Sequence, residues 1–310
     1  MNNYLIKRIF RTIFTLWFLL TFLFILLRIS GDPLRAVFET GTPQYIIDYY
    51  RSKWGLDKPL LTQYTDYLFN VLQGNLGISF FDGRPVTEHI AMKFPNTLLL
   101  GSVSFLTSVI LGISLGAWAA FKSGKFVDKT IVSLTVFSYS MPNYFFGILM
   151  IYFLSLKLGW LPTGGIGNWK NLIMPIITLS TPSIAYIARF SRSTFLDILR
   201  KPYMRTADAK GIKLFRRLSK HLFPNAAIPI ITVLGQQFGW IIGGAVITET
   251  IFAWPGIGRL LITAVSRRDY ETIQGMVLLI GVSVTLTNLI VDLLYSLIDP
   301  RIRYGKENGN

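Results

Sequence analysis

Serine, histidine and glycine are the first residues to test for chemistry. Gly112-Ile113-Ser114-Leu115-Gly116 has the outline of a serine-hydrolase elbow. A serine there attacks a carbonyl only if a base takes its proton, and the chain has two histidines, His89 and His221. Both lie outside the apolar run that holds Ser114, so an intramembrane protease is set aside. With no cysteine there is no thiol catalysis, disulfide or cysteine metal site. Two histidines placed on opposite faces of the apolar runs build no metal ligand set, and no metal is expected. The phosphate-binding pattern Gly-x4-Gly-Lys-Ser/Thr is missing, so any uphill movement draws its energy from an ion gradient or from a separate ATPase. What remains is a basic segment, residues 189–224, which holds ten of the 31 Lys/Arg. Within it, Arg205-Thr206-Ala207-Asp208-Ala209-Lys210 predicts a short helix, Gly211 a tight turn and Lys213–Leu222 a second helix running into Phe223-Pro224. The small residues Ala207 and Ala209 permit close contact with a partner, and such a knuckle can pass a partner's rigid-body motion to the segments attached to it.

The elements that position this segment are apolar and long. Half the chain is apolar and 15% is charged. Blocks near the length needed to cross a bilayer as helices fall at 9–27, 97–121, 131–158, 172–188, 226–247 and 273–298. The fold class is therefore an all-α integral membrane protein with six transmembrane helices. Pro142-Asn143 is expected to interrupt the third block, and Pro175 with Pro182 the fourth. Lys7, Arg8 and Arg11 precede the first block as in a secretory signal, but the block is too long and Arg28–Pro33 lacks a small-x-small site, so an uncleaved first span is expected.

A net charge of +15 could point to nucleic acid, so its distribution matters. With the N-terminus cytoplasmic, inner segments carry 19 Lys/Arg and outer segments 12, although the first outer segment alone spans residues 30–96. That bias is the positive-inside pattern, which predicts both termini in the cytoplasm of a multi-pass protein. Cationic loops against an anionic leaflet account for the charge, and no nucleic-acid partner is expected. The chain divides into a stub with the first span (1–29), an outer insertion (30–96), a five-span core (97–298) containing the loop 189–224, and a tail (299–310). Within the insertion, Gln44–Trp54, Leu60–Leu72 and Pro85–Lys93 read as short helices. Its dense aromatic residues suit a cap resting on the bilayer interface or a platform for an external protein.

Polar and small residues mark the spans. Gly235, Gly239 and Gly243 form one stripe and Gly112 with Gly116 another, each permitting close helix approach. Gln236, Gln237, Thr285 and Asn288 are candidates to line a path, with packing hydrogen bonds an equally good account of any one of them. Asp292 near the end of the last span suits a structural partner better than a proton relay.

These residues resemble a known family. The segment 205–224 is similar to the EAA motif of bacterial ABC-importer permeases, with Arg205 and Thr206 where Glu-Ala often stand, followed by Ala207, Gly211 and Pro224. Glu249-Thr250-Ile251-Phe252-Ala253-Trp254-Pro255-Gly256-Ile257-Gly258-Arg259, the ending Asp292–Arg301, Gly31-Asp32-Pro33 and Gly55–Leu60 resemble the dipeptide/oligopeptide/nickel branch. The resemblance implies a type I (MetI-like) permease that is not itself an enzyme. It implies a homologous second permease, two ATP-binding subunits that use ATP and Mg, and an extracytoplasmic substrate-binding protein. Arg205, Thr206, Ala207, Ala209, Gly211 and Pro224 would couple to the ATPase, while Glu249 and Trp254-Pro255-Gly256 would lie near the outer gate. The expected cargo is peptide, with nickel, metallophore or glutathione as alternatives. An ion-coupled secondary transporter is a weaker reading because paired acids in the spans are missing.

Overall fold

The computed structural model describes residues 2–29, 31, 32, 34–38 and 41–298, with the side chains of 2–7, 35, 36, 214, 242 and 291–298 left aside. The Asp292 side chain and the tail therefore lie outside what is described. The structure is helical, and among the described residues there is no strand beyond a single bridge between Ile78 and Pro85. Among the described residues, four helices are long and apolar enough to cross a membrane, or up to six if each of two bent pairs counts as one span.

The chain forms two compact units, Met1–Thr97 with Pro255–Thr285, and Leu98–Trp254 with Leu286–Asn310. The first unit contains α1 (Asn2–Ile29), the short α2 (Leu34–Val37), α3 (Gln44–Lys53), α4 (Leu60–Leu72), the start of α5 (Val86–Phe121), α12 (Ile257–Ser266) and the start of α13 (Tyr270–Ile298). Its core includes Leu23 and Leu27 of α1, Phe80, Ala264, Tyr270 and Ile273. Trp54 stacks on Phe80 with ring centres 4.1 Å apart. Asp269 ties the unit together. Its carboxylate accepts from the Ser79 hydroxyl at 2.6 Å, the Phe80 N–H at 3.1 Å and the Thr272 hydroxyl at 2.7 Å. It thereby fixes the turn 77–85 while capping the first turn of α13. The expected short helix at 85–93 is not separate: it is the beginning of the 36-residue α5. The sequence reading also missed α12, an amphipathic ten-residue helix too short to span a bilayer.

The second unit holds the rest of α5, α6 (Phe126–Ser140), α7 (Asn143–Met150) continuing as wider π-helical turns over Ile151–Lys157, α8 (Lys170–Leu199), α9 (Pro202–Ala209), α10 (Leu214–Arg217) and α11 (Phe223–Ile251). The three prolines expected to interrupt spans behave differently. At Pro142 the α6–α7 pair bends by 101°. Met141 is held extended (φ −83°, ψ 124°), as expected for a residue that a following proline pushes out of the helical region. Pro175 and Pro182, by contrast, sit inside α8, which runs unbroken from Lys170 to Leu199 and corrects the expected interruption. Just before Pro182, the Ser180 and Thr181 hydroxyls both donate back to the Ile177 carbonyl, at 3.2 and 2.6 Å.

Glycine packing is unequal. A Cβ on Gly112 would stand 2.7 Å from Ile187 Cβ, and one on Gly116 would stand 2.6 Å from the Ala188 carbonyl. These two glycines of the apparent elbow therefore let α5 close on α8. On α11 the stripe works differently: nothing lies within 4 Å of a Cβ at Gly243. Gly243 instead adjoins a 46° bend in α11, a common place for a helix to kink. Across α6 and α8, Arg192 grips Asp128 with two hydrogen bonds of 2.6 and 2.7 Å, and the Gly124 N–H adds a third at 2.9 Å. Paired, forked contacts of this kind fix the relative rotation of two helices.

Candidate functional site: a helix–glycine–helix knuckle and a helix-end turn

The basic segment is more helical at its start than the sequence suggested. Arg189 and Arg192 belong to α8 and are already engaged, Arg189 over the Tyr139 ring at 4.8 Å and Arg192 with Asp128. The exposed knuckle begins at Arg200. Pro202 opens α9 at a position where its missing N–H has no cost. Met204 and Ala207, three residues apart, turn inward and are buried. Met204 joins a core with Phe195, Ile198, Leu222, Ala226 and Ile230. Arg205, Thr206, Ala209 and Gly211 stay exposed. Of the two small residues, Ala207 faces its own unit and Ala209 is exposed. Pro224 lies exposed on the first turn of α11.

Gly211 ends α9. Its N–H donates to the Asp208 carbonyl at 2.9 Å, and the next N–H, of Ile212, reaches back to the Ala207 carbonyl at 3.1 Å. This is a Schellman turn, and Gly211 occupies its left-handed position with φ +70°. Nothing lies within 4 Å of a Cβ built there. The second helix is shorter than expected: α10 passes through π-helical turns at Leu218–Leu222 directly into α11. An ion pair between Arg217 and Asp208 locks the two arms of the knuckle. Phe215 beside it is 83% exposed, an uncovered aromatic in a cationic setting.

The signature 249–259 also begins with a Schellman turn. Trp254 N–H reaches the Glu249 carbonyl at 2.8 Å and Ala253 N–H the Thr250 carbonyl at 3.3 Å, with Ala253 at φ +49°. Glu249 and Trp254 are buried, Trp254 among Leu100, Leu179, Ile241 and Ala245. Phe252, absent from the candidates drawn from sequence, is fully buried, and its carbonyl accepts the Gly165 N–H at 2.8 Å. Beyond the turn, in the first unit, the Asn96 amide donates to the Pro255 carbonyl at 2.9 Å. The Ile257 N–H, just past the buried Gly256, donates to Thr97 Oγ1 at 2.9 Å.

Of the path candidates, Gln236 is exposed, and Gln237 accepts from the Ser183 hydroxyl of α8 at 2.9 Å. Sequence reading missed Ser183, since nothing links residues 54 positions apart before the fold is known. Asn288 Oδ1 lies 3.7 Å from where a Cβ on Gly239 would be, so α13 passes close to α11 at this point. Thr285 spends its hydroxyl on the Gly281 carbonyl of its own helix at 2.6 Å. Among the described residues no three His, Cys, Asp or Glu gather to hold a metal ion.

Comparison with known proteins decides the class. The family described as "Binding-protein-dependent transport system inner membrane component" matches residues 112–304, and its N-terminal companion matches 1–101. The chain belongs to this family. It is a multi-pass inner-membrane permease subunit of an ABC importer, not an enzyme, and it works with an ATPase and a binding protein. Among its relatives is the glutathione transport system permease protein of Escherichia coli O6:H1, 41% identical over 98% of this chain and 100% of the relative. A probable peptide ABC transporter permease protein of Sinorhizobium fredii is 40% identical over the same shares. The fold resembles the inward-facing MetNI methionine ABC transporter at a TM-score of 0.56 and 16% identity, over 69% of this chain and 97% of that one. It also resembles an amino acid ABC transporter solved with histidines, at 0.56 and 18% identity, over 68% of this chain and 94% of that one.

Proposed function

We propose that this permease carries short peptides, glutathione included, as one half of a pathway completed by a homologous second permease. Two ATP-binding subunits hold ATP and Mg and drive it from the cytoplasm, where both termini lie, and an external binding protein delivers the cargo. The knuckle α9–Gly211–α10 is the coupling element. The observation that carries this reading is the two-sidedness of α9. Its Met204/Ala207 face is anchored in the permease core, while Arg205, Thr206 and Ala209 on its other side stay uncovered. A part rigid toward the spans and open toward solvent transmits a push without absorbing it. The peptide assignment is supported by relatives whose names give glutathione and peptide. Gln236, Gln237, Thr285 and Asn288 are the path candidates, and the turn at Glu249–Gly256 is the outer gate.

The test is uptake of labelled glutathione and labelled dipeptides by cells carrying the intact importer, with and without Gly211→Trp. The space around Gly211 is open, so the new side chain meets no atom at its Cβ, costs about 1–2 kcal/mol of backbone strain at φ +70°, and stands in the docking surface. Uptake is expected to fall to background while the protein still inserts and its ATPase partner no longer co-purifies. Normal uptake by the variant would remove the coupling role, and no uptake of either cargo by the wild type would remove the peptide assignment.

A further inference from the structure

The first unit holds a polar cavity of about 270 Å³ that the transport reading does not use. It lies where the C-terminal end of α1 meets the first turn of α13, walled by α3, α4 and the turn at Gly77. Most polar groups around it are already matched. Lys58 donates to Asp66 at 2.8 Å, and the Lys53 ammonium sits 5.5 Å from the centre of the Tyr50 ring. Two opposite charges, Arg28 from α1 and Glu271 from α13, both line the cavity and attract each other, but among the described residues no ion pair closes one on the other.

Three further atoms there are buried without a hydrogen-bond partner: Arg28 Nε, Gln63 Oε1 and Tyr67 OH. Leaving such groups unmet costs about 1–3 kcal/mol each, so a native site fills them with water or ligand. Burial raises the Tyr67 hydroxyl above the ordinary phenol range, which keeps it a donor. The turn accommodates Glu271 closely, because a Cβ on Gly77 would collide with its carboxylate. Gln274, one turn further along α13, is 4% exposed and adds an amide to the same wall.

A cation, an anion, a hydroxyl donor and an amide acceptor lining one cavity can together match a molecule that carries both charges. We infer that this cavity binds a small zwitterion, a free amino acid or short peptide, with its carboxylate at Arg28 and Tyr67 and its ammonium at Glu271 and Gln63. The site is separate from the path candidates on α11 and from the knuckle. It rests on the charge pair and not on the peptide-import reading, so either can fail alone.

Because the chain has no cysteine, one introduced at the exposed cavity-lining Ser52 is a local reporter. In the assembled importer in lipid nanodiscs, without ATP or binding protein, alanyl-alanine is expected to protect Ser52→Cys from maleimide. N-acetyl-alanyl-alanine and alanyl-alanine amide, each lacking one charge, are expected to protect at least about tenfold more weakly, the loss of one charge-assisted contact. Arg28→Gln is expected to abolish protection, and the milder Tyr67→Phe to weaken it a few-fold. Equal protection by capped and uncapped peptides would overturn the inference, and so would no protection by any of them, which means water alone. The capped-peptide comparison uses an intact cavity, so it decides the matter even if the charge variants do not assemble. Protection with no peptide uptake by cells would sink the import reading and leave this one standing.

Discussion

Two helix ends in this protein use the same hydrogen-bond pattern in opposite surroundings. At Gly211 the Schellman turn is closed by a residue that adopts φ > 0 freely, in open space, on an exposed and cationic surface. At Ala253 the same pattern forces a residue with a Cβ into the left-handed region, beside buried Phe252 and Trp254. The first turn is cheap and uncovered, which suits the coupling role proposed for it. The second is strained and enclosed, so its shape is imposed by packing. A side chain in the left-handed region costs about 1–2 kcal/mol, which the burial of Phe252 and Trp254 readily offsets.

The largest effect expected from breaking this contrast is at Trp254. Trp254→Ala removes a 1%-exposed indole from a core of Leu100, Leu179, Ile241 and Ala245. It is expected to destabilise the protein by about 3–5 kcal/mol, read as a fall in thermal midpoint in detergent or as loss of the folded fraction. If Trp254→Ala melts like the wild type, the turn is not held by its packing. Gly211→Ala is expected to cost about 1–2 kcal/mol, all of it backbone strain, since no atom opposes the new methyl. A larger loss would mean that the knuckle is crowded. The smallest effect is the inverse one: Ala253→Gly relieves strain of about 1 kcal/mol but returns some of it as chain entropy, so the midpoint should stay level or rise slightly. A clear fall would show that Ala253 contributes packing that outweighs its strained backbone.

These two turns also show what a sequence makes legible. Gly211 announces its turn because glycine is the usual residue at that position. Ala253 does not, because alanine is a good helix former and only the surrounding core forces it over. Prolines were similarly ambiguous. Pro142 bends its span by 101°, whereas Pro175 and Pro182 leave α8 whole, so a proline by itself does not announce which outcome its span takes. The apolar runs were legible because a bilayer sets their length. The inward turn of Ala207 was not, since two alanines two residues apart differ only in which side of a helix they take. Asp128 with Arg192 and Ser183 with Gln237 join positions 64 and 54 apart and emerge only once the helices are packed.

The central claim is that the exposed side of α9 is where the ATPase seats. Thr206→Cys would be a lone cysteine on that face, and Gln73→Cys a control at another exposed position, after α4 in the other unit. Maleimide labelling of Thr206→Cys should slow at least about tenfold when the ATPase subunits assemble, with Gln73→Cys unchanged, since docking removes that surface from solvent. Equal labelling of Thr206→Cys with and without the ATPase would contradict the account.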